Sequence, residues 1–479
     1  MSWFKSPPKT FFLIFIIVGV ILRFYNLNYD NLWFDEIATF WVSEPSVNFS
    51  ESVNRNIQIE GSLFIYNFII YFLNNFFGYD PINIRLYSAF FGTLSIIVFF
   101  FLCKNILNSY NACVVATSLF SLNIFLIRYS QEGRMYSFLV LVSLLSIFFI
   151  IKIMNNKENN NVFDKNLIFY FIFQTAASLV SPFAIMITGS FLFVLFIKYL
   201  SNKEELKLLV IMLIYSILTL FLYYLWSKNF NLEYSAWLVN PDIKFFTDFY
   251  FSTFFGSRFM GITHLFLLVL LAFKFRKLIF SNINEKTFLI YLIFFTYSIP
   301  LIFGYLFSPI INARYIIFVI VAVIILLTYF VFEIKNVKLK NTIVVLLLGI
   351  NFFNHFSESS FKQFYLERQK YKPSFEDAIK YIDKTDIKDY TFVVKSGSND
   401  VDYTYSKPLF HYTNYIAAKE NILLEGLLLE NFLLSEKKEI WLISMSYPFW
   451  PYEELVIKNN LKIVKKIDFP SLQIIKLKK

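Results

Sequence analysis

Two adjacent carboxylates, Asp35 and Glu36, lie in the stretch Leu32-Trp33-Phe34-Asp35-Glu36-Ile37-Ala38-Thr39-Phe40-Trp41, directly after the first apolar span. Aromatic residues at that depth are ordinary membrane-interface anchors. Carboxylates among them are costly to desolvate, and such charges are usually kept for function. A carboxylate placed there can take the proton of a hydroxyl as that hydroxyl attacks. The plain alternative is helix capping, since acids in a first helical turn meet the positive end of the helix dipole. Asp35 is the expected catalytic base, with Glu36 beside it.

Glu60 is a further acid in the same polar stretch. The segment Arg128-Tyr129-Ser130-Gln131-Glu132-Gly133-Arg134-Met135-Tyr136 joins two apolar runs with almost no spare length. Guanidinium forks match phosphate oxygens, whereas a merely structural pair would snorkel and be balanced by Glu132. Arg85 and Arg314 each start a later span, where a cation alone is a membrane-edge anchor. Arg23, inside the first span, is costly to bury and is expected to pair with an acid.

Together these residues describe a cationic pocket beside carboxylates. Arg85, Arg128, Arg134 and Arg314, with Glu60 and Glu132, would line a binding site for a lipid phosphate. The arginines would stabilise charge on a departing phosphate while the carboxylate activates the incoming hydroxyl. Asp35, Glu36 and Glu60 could ligate a divalent cation through oxygen, but hard-cation sites show more acids in closer register. No metal or other cofactor is expected. Three histidines without a cluster, and Cys103 and Cys113 without a Cys-x-x-Cys, give no zinc site and no disulfide framework.

The elements that must position these groups are membrane helices. The chain has 479 residues, 57% of them hydrophobic and only 16% charged, which is outside soluble composition and indicates a polytopic membrane protein. The net charge of +10 resides mostly in lysines between apolar runs, so topology accounts for it and no nucleic-acid partner is expected. A helix needs about 20 apolar residues to cross the hydrocarbon core. Spans are expected near 10–29, 84–104, 110–127, 136–152, 166–181, 182–198, 208–226, 262–280, 287–307, 313–333 and 341–356. The first reads as a retained helix, because no small-residue cleavage site follows it.

The apolar segment 62–77 is short and interrupted by Asn67, Asn74 and Asn75. If it crossed, every later loop would change sides and the lysine bias would vanish, so it is read as an interfacial helix. The N-terminus is then cytoplasmic. Loop 30–83, turn 128–135, loop 227–261 and turn 308–314 face outward. Residues 1–356 form the transmembrane domain. Residues 357–479 form a small extracytoplasmic α/β domain, with helices at 375–382 and 453–460 and strands at 390–394, 440–443, 461–467 and 472–477.

The ordered run Arg23, Leu32-Trp33-Phe34-Asp35-Glu36, Glu60, Tyr66, Phe77-Gly78, Arg85-Leu86-Tyr87-Ser88-Ala89-Phe90-Phe91-Gly92 and Tyr129-Ser130-Gln131-Glu132-Gly133-Arg134-Met135-Tyr136 resembles the C-type membrane glycosyltransferases. It is most similar to bacterial and archaeal relatives of protein O-mannosyltransferases and of the lipid A aminoarabinose transferase. Pro309 to Tyr315 fits a later motif of that family. The resemblance implies a polyprenyl- or dolichyl-phosphate sugar donor and inversion at the anomeric carbon. It also implies an acceptor hydroxyl on a glycan, lipid or protein. It makes Asp35 the base, Glu36 its companion and Glu60 a second acid lining the site. Many relatives carry a basic residue after that second acid. Here the sequence is Glu60-Gly61-Ser62-Leu63, and Arg55 or Arg258 would have to substitute.

Two other readings compete. A polyprenyl-glycan flippase or transporter would keep ionisable residues near the midplane, often in repeated halves, but here they gather at one face without a repeat. A non-catalytic lipid-binding envelope scaffold would not need paired carboxylates at the interface.

Overall fold

The structure, a computed structural model, describes residues 9–28, 30–59, 65–155, 164–201, 203–227, 253–277, 283–357, 372–393, 406–445 and 452–479. In chain order its helices begin with α1 (Lys9–Phe24), α2 (Phe34–Val42), α3 (Phe49–Ile59), α4 (Ile65–Phe77) and α5 (Pro81–Ile106). There follow α6 (Tyr110–Leu122), α7 (Ile124–Ser130), α8 (Tyr136–Asn155), α9 (Lys165–Val180), α10 (Ile185–Ser201) and α11 (Leu206–Ser227). Next come α12 (Arg258–Lys274), α13 (Glu285–Leu306), α14 (Val319–Phe332) and α15 (Val337–Asn354). The tail holds α16 (Phe375–Asp383), β1 (Asp389–Val393), α17 (Ser406–Lys419), β2 (Glu425–Gly426), α18 (Leu429–Leu434), β3 (Glu439–Ser444), α19 (Tyr452–Lys458), β4 (Lys462–Phe469) and β5 (Leu472–Lys478). The chain divides into two compact units. One comprises Met1–Tyr25, Ser62–Tyr66 and Arg85–Phe361; the other comprises Asn26–Gly61, Asn67–Ile84 and Lys362–Lys479.

The first unit is a helical bundle in which every expected span overlaps a helix, but among the described residues fewer than the expected eleven are long enough to cross a bilayer. Among the described residues six helices are long and apolar enough to cross a bilayer: Pro81–Ile106, Tyr136–Asn155, Pro182–Leu200, Leu206–Leu225, Glu285–Leu306 and Val337–Asn354. The pair α6 and α7, bent by 56° at Asn123, makes a seventh if it is one span. α14 is apolar and almost wholly buried, as expected of a helix with no polar face. α11 instead exposes Ile214, Ile217, Leu218 and Phe221, a surface suited to lipid contact.

Small residues and buried polar groups hold the bundle. A side chain at Gly19 would strike the Ser121 carbonyl, so glycine lets α1 and α6 approach closely. One turn on, Arg23 Nη1 donates to the carbonyls of Gly19 and Ser121, each at 2.7 Å. Gln174 on α9 accepts from Ser146 at 2.6 Å and donates to the Ala184 carbonyl at 2.9 Å, tying α8 and α9 to the start of α10.

The second unit joins the early segment to the tail. Its five-stranded sheet has the order β2-β1-β3-β5-β4, with β1 parallel to β2 and β3, and β5 antiparallel to β3 and β4. Leu442, Ile475, Leu477, Phe432 and Val456 fill one side of the sheet. The strands and helices expected in the tail are present. α17, β2 and α18 are additions, because their mixed composition carries no clear apolar period.

α4 is built inside out. Its Asn67 donates to Asn56 at 2.7 Å and its Asn74 to Ser43 Oγ at 3.0 Å, both buried, while Phe68, Phe72 and Phe76 are exposed. Phe49 packs edge-on against Phe68 at 5.5 Å and extends that aromatic surface. At 13 residues α4 is about 20 Å long, short of the roughly 30 Å hydrocarbon core.

Candidate functional site

The site residues fall in both units. In the second unit Asp35 and Glu36 occupy the first turn of α2. The sequence favours a helix start there: Trp33 is extended, and its backbone N–H donates to Glu36 Oε2 at 3.3 Å, folding the acid back over the N-terminus. From this shared turn the two acids part. Glu36 is fully buried and accepts from Lys372 Nζ at 2.9 Å. Lys372 also lies 3.9 Å from Asp30 Oδ2. Asp35 remains partly exposed. Glu36, expected beside Asp35 in the chemistry, is thus committed to holding the N-terminus of α2 and a lysine from the tail.

The approach to α2 is pinned by the tail as well. The Tyr412 hydroxyl on α17 accepts from Leu32 N–H at 2.9 Å and donates to Asn31 Oδ1 at 3.4 Å. Phe40 stacks on Tyr79 at 3.9 Å, and the Tyr79 hydroxyl donates to the Phe40 carbonyl at 2.8 Å. His411 Nε2 lies 2.7 Å from the same hydroxyl. Beyond the helix, Arg55 donates to Glu44 at 2.6 Å and to the Trp41 carbonyl at 2.9 Å. Burial raises the Glu44 carboxyl, but the Ser46 hydroxyl, Arg55 and His411 outweigh it and hold that group below its usual range. Burial pushes the His411 imidazole down, opposed by Glu44 and reinforced by Arg55.

In the first unit the segment 128–136 is a buried corner between α7 and α8. Gln131, which ends α7, donates to the Leu22 and Tyr25 carbonyls at the end of α1. Gly92 on α5 lies so close to Ser130 that a side chain there would clash. Arg128 Nε is 3.6 Å from Glu132 Oε1; Arg128 is half exposed and Glu132 buried. Arg134 is buried, and its carbonyl accepts from Ser88 Oγ on α5 at 3.3 Å. Arg85, also buried, precedes Ser88 by one helical turn. Arg314 reaches the corner from the turn after α13, its guanidinium 5.7 Å from the Tyr136 ring and 5.5 Å from the Tyr315 ring. The structure therefore gathers Arg128, Glu132 and Arg314 around Tyr129 and Tyr136, whose rings meet edge-on at 4.8 Å. Glu60 lies outside the described residues.

Sequence reasoning missed Asp30, Lys372 and Tyr412. Lys372 sits in a charged stretch with no motif, and only its approach to Glu36 identifies it. Among the described residues no three His, Cys, Asp or Glu side chains converge as a metal site would require.

The described residues thus combine a bundle of apolar helices carrying an arginine-rich corner with a unit that has carboxylates at a helix start and a small mixed sheet. No protein-family model matches the chain, and no curated protein sequence does. Solved structures do. ArnT, the lipid A aminoarabinose transferase, from Cupriavidus metallidurans is similar in its apo state, with TM-score 0.58 and 12% identity over 98% of each chain. The same enzyme bound to undecaprenyl phosphate gives TM-score 0.53 and 13% identity over 98% of each. The oligosaccharyltransferase AglB from Archaeoglobus fulgidus, in complex with an inhibitory peptide and a dolichol-phosphate, gives TM-score 0.50 and 11% identity over 92% of this chain and 70% of that one. At these identities the likeness is one of fold.

Proposed function

We propose that the protein is a membrane glycosyltransferase that moves a sugar from a polyprenyl- or dolichyl-phosphate donor to an acceptor hydroxyl on the extracytoplasmic face, with inversion. The observation that carries this reading is the different fate of the two adjacent acids. Glu36 is buried on Lys372, while Asp35 stays partly exposed in the first turn of α2. Asp35 is the base that takes the hydroxyl proton as the acceptor oxygen bonds to the anomeric carbon and the sugar–phosphate bond breaks. Glu36 acts through position, fixing the turn that aims Asp35. Arg85, Arg128, Arg134 and Arg314, with Glu60 and Glu132, form the donor site, where guanidinium groups stabilise the departing lipid phosphate. The fold shared with an enzyme crystallised on undecaprenyl phosphate supports a lipid-phosphate donor.

The lysine bias supports a plasma-membrane protein with a cytoplasmic N-terminus and outward-facing tail. The inside-out α4 supports a helix lying in the outer interface. The base needs no metal, and a divalent cation is not part of the proposed chemistry.

The deciding experiment is mass spectrometry of lipids that copurify with wild type and Asp35→Asn in mild detergent. A prenyl-phosphate monosaccharide retained by the inactive variant identifies the donor and places Asp35 after binding. A pyrophosphate-linked oligosaccharide on both proteins, or no prenyl lipid on either, overturns the proposal.

A further inference from the structure

A cavity of about 300 Å³ opens in the helical unit where α6 and α15 begin and α14 ends. It lies at the opposite end of the α6–α7 pair from Arg128, away from the arginine corner. That volume sits at the lower end of small-molecule pockets, about 300–1,000 Å³. Its wall includes Asn108, Ser109, Tyr329, Glu333, Lys340 and Asn341.

Two of these residues are charged, and each stands at the unfavourable end of its helix. Glu333 is the C-cap of α14, where the helix dipole is negative. Lys340 is in the opening turns of α15, near the positive end of that dipole. Both are only partly exposed. No ion pair joins them, and the Lys340 ammonium lies 5.4 Å from the centre of the Phe332 ring. An acid and a base on one cavity wall, each lacking a counter-charge from its own helix end, match a ligand carrying both signs.

We propose that this cavity binds a zwitterionic phosphate–amine group, with the phosphate on Lys340 and the ammonium on Glu333. The Asn108 and Asn341 amides add hydrogen bonds of either polarity. Such a group is presented by an ethanolamine phospholipid at the membrane surface and by free phosphoethanolamine in solution. The site is separate from the transfer chemistry and takes no part in it.

The test is calorimetric titration of the full-length protein in detergent with dihexanoyl phosphatidylethanolamine, dihexanoyl phosphatidylglycerol and O-phosphoethanolamine. The ethanolamine lipid should bind, and Glu333→Gln and Lys340→Met should each weaken it about tenfold or more, as loss of a charged hydrogen bond does. Lys340→Arg should retain binding, which separates a lost contact from a misfolded helix. Phosphoethanolamine binding as tightly as the lipid assigns a soluble source, and binding of the lipid alone assigns the membrane; either supports the zwitterion. Equal binding of the glycerol and ethanolamine lipids, unchanged binding in both loss variants, or no binding by any probe overturns the proposal.

Discussion

Lys372 Nζ lies 2.9 Å from Glu36 Oε2, joining residues 336 positions apart in the sequence. Glu36 is completely buried and Lys372 largely so, and the pair fastens the tail to the helix start that carries Asp35. Breaking a buried pair from one side leaves an uncompensated charge and costs about 3–5 kcal/mol. Lys372→Met should therefore lower the melting temperature sharply, and Glu36→Gln added to it should restore much of the loss. A double variant no better than Lys372→Met would show that the pair is not coupled.

Asp35 and Glu36 should separate kinetically. Asp35→Asn is expected to lower transfer about 10²–10⁴-fold, the usual contribution of a general base, with melting unchanged. Glu36→Gln should lower rate and melting temperature together, because it loosens the turn. Transfer assays on both, with thermal unfolding, decide this. Wild-type turnover in Asp35→Asn removes Asp35 from the base role.

The second unit should weaken in mild acid. His411 faces Tyr79, Phe40, Glu44 and Arg55, and burial, opposed by Glu44, holds its imidazole below the ordinary value. The unfolded chain takes up this proton at about pH 6.5, before the folded protein does. The stability contributed by neutral His411 is thus complete above that pH and is lost as pH falls through the folded-state value. Glu44, also held low, adds a second loss of the same sign at lower pH. Melting temperature recorded against pH should fall from about pH 6.5 downward, and His411→Gln should flatten the upper part of that decline. An unaltered profile in His411→Gln would assign it to other groups.

Sidedness can be read with cysteines. The native Cys103 and Cys113 are buried, so background labelling should be low. Single cysteines at the exposed positions Asn75 and Glu430 should react with a membrane-impermeant thiol reagent in intact cells, whereas one at exposed Lys338 should react only after lysis. Glu430→Cys labelling only after lysis would invert the proposed topology.

The membrane architecture was legible in the sequence because lipid imposes a local rule: about 20 successive apolar residues form a helix whatever surrounds them. The tail strands at 390–394, 440–443 and 472–477 were legible for a similar reason, as short apolar runs between polar breaks. The asparagines of α4 were visible in the sequence only as interruptions, and that Asn67 and Asn74 face inward while Asn75 is exposed is decided by the structure. The sequence also drew attention to Asp35 and the 128–136 corner through costly charges beside apolar spans.

Tertiary structure alone decided which acid of the adjacent pair stays accessible. Local sequence places Asp35 and Glu36 in the same helical turn, and nothing there tells them apart. What separates them is Lys372, brought from the far end of the chain by folding of the tail with Asn26–Gly61 and Asn67–Ile84. Arg314 joins Tyr136 in the same manner, through packing between helices distant in sequence. Burial and pairing are set by groups that meet only in three dimensions, and the energy of an ionised side chain depends on those neighbours more than on its own position in the chain.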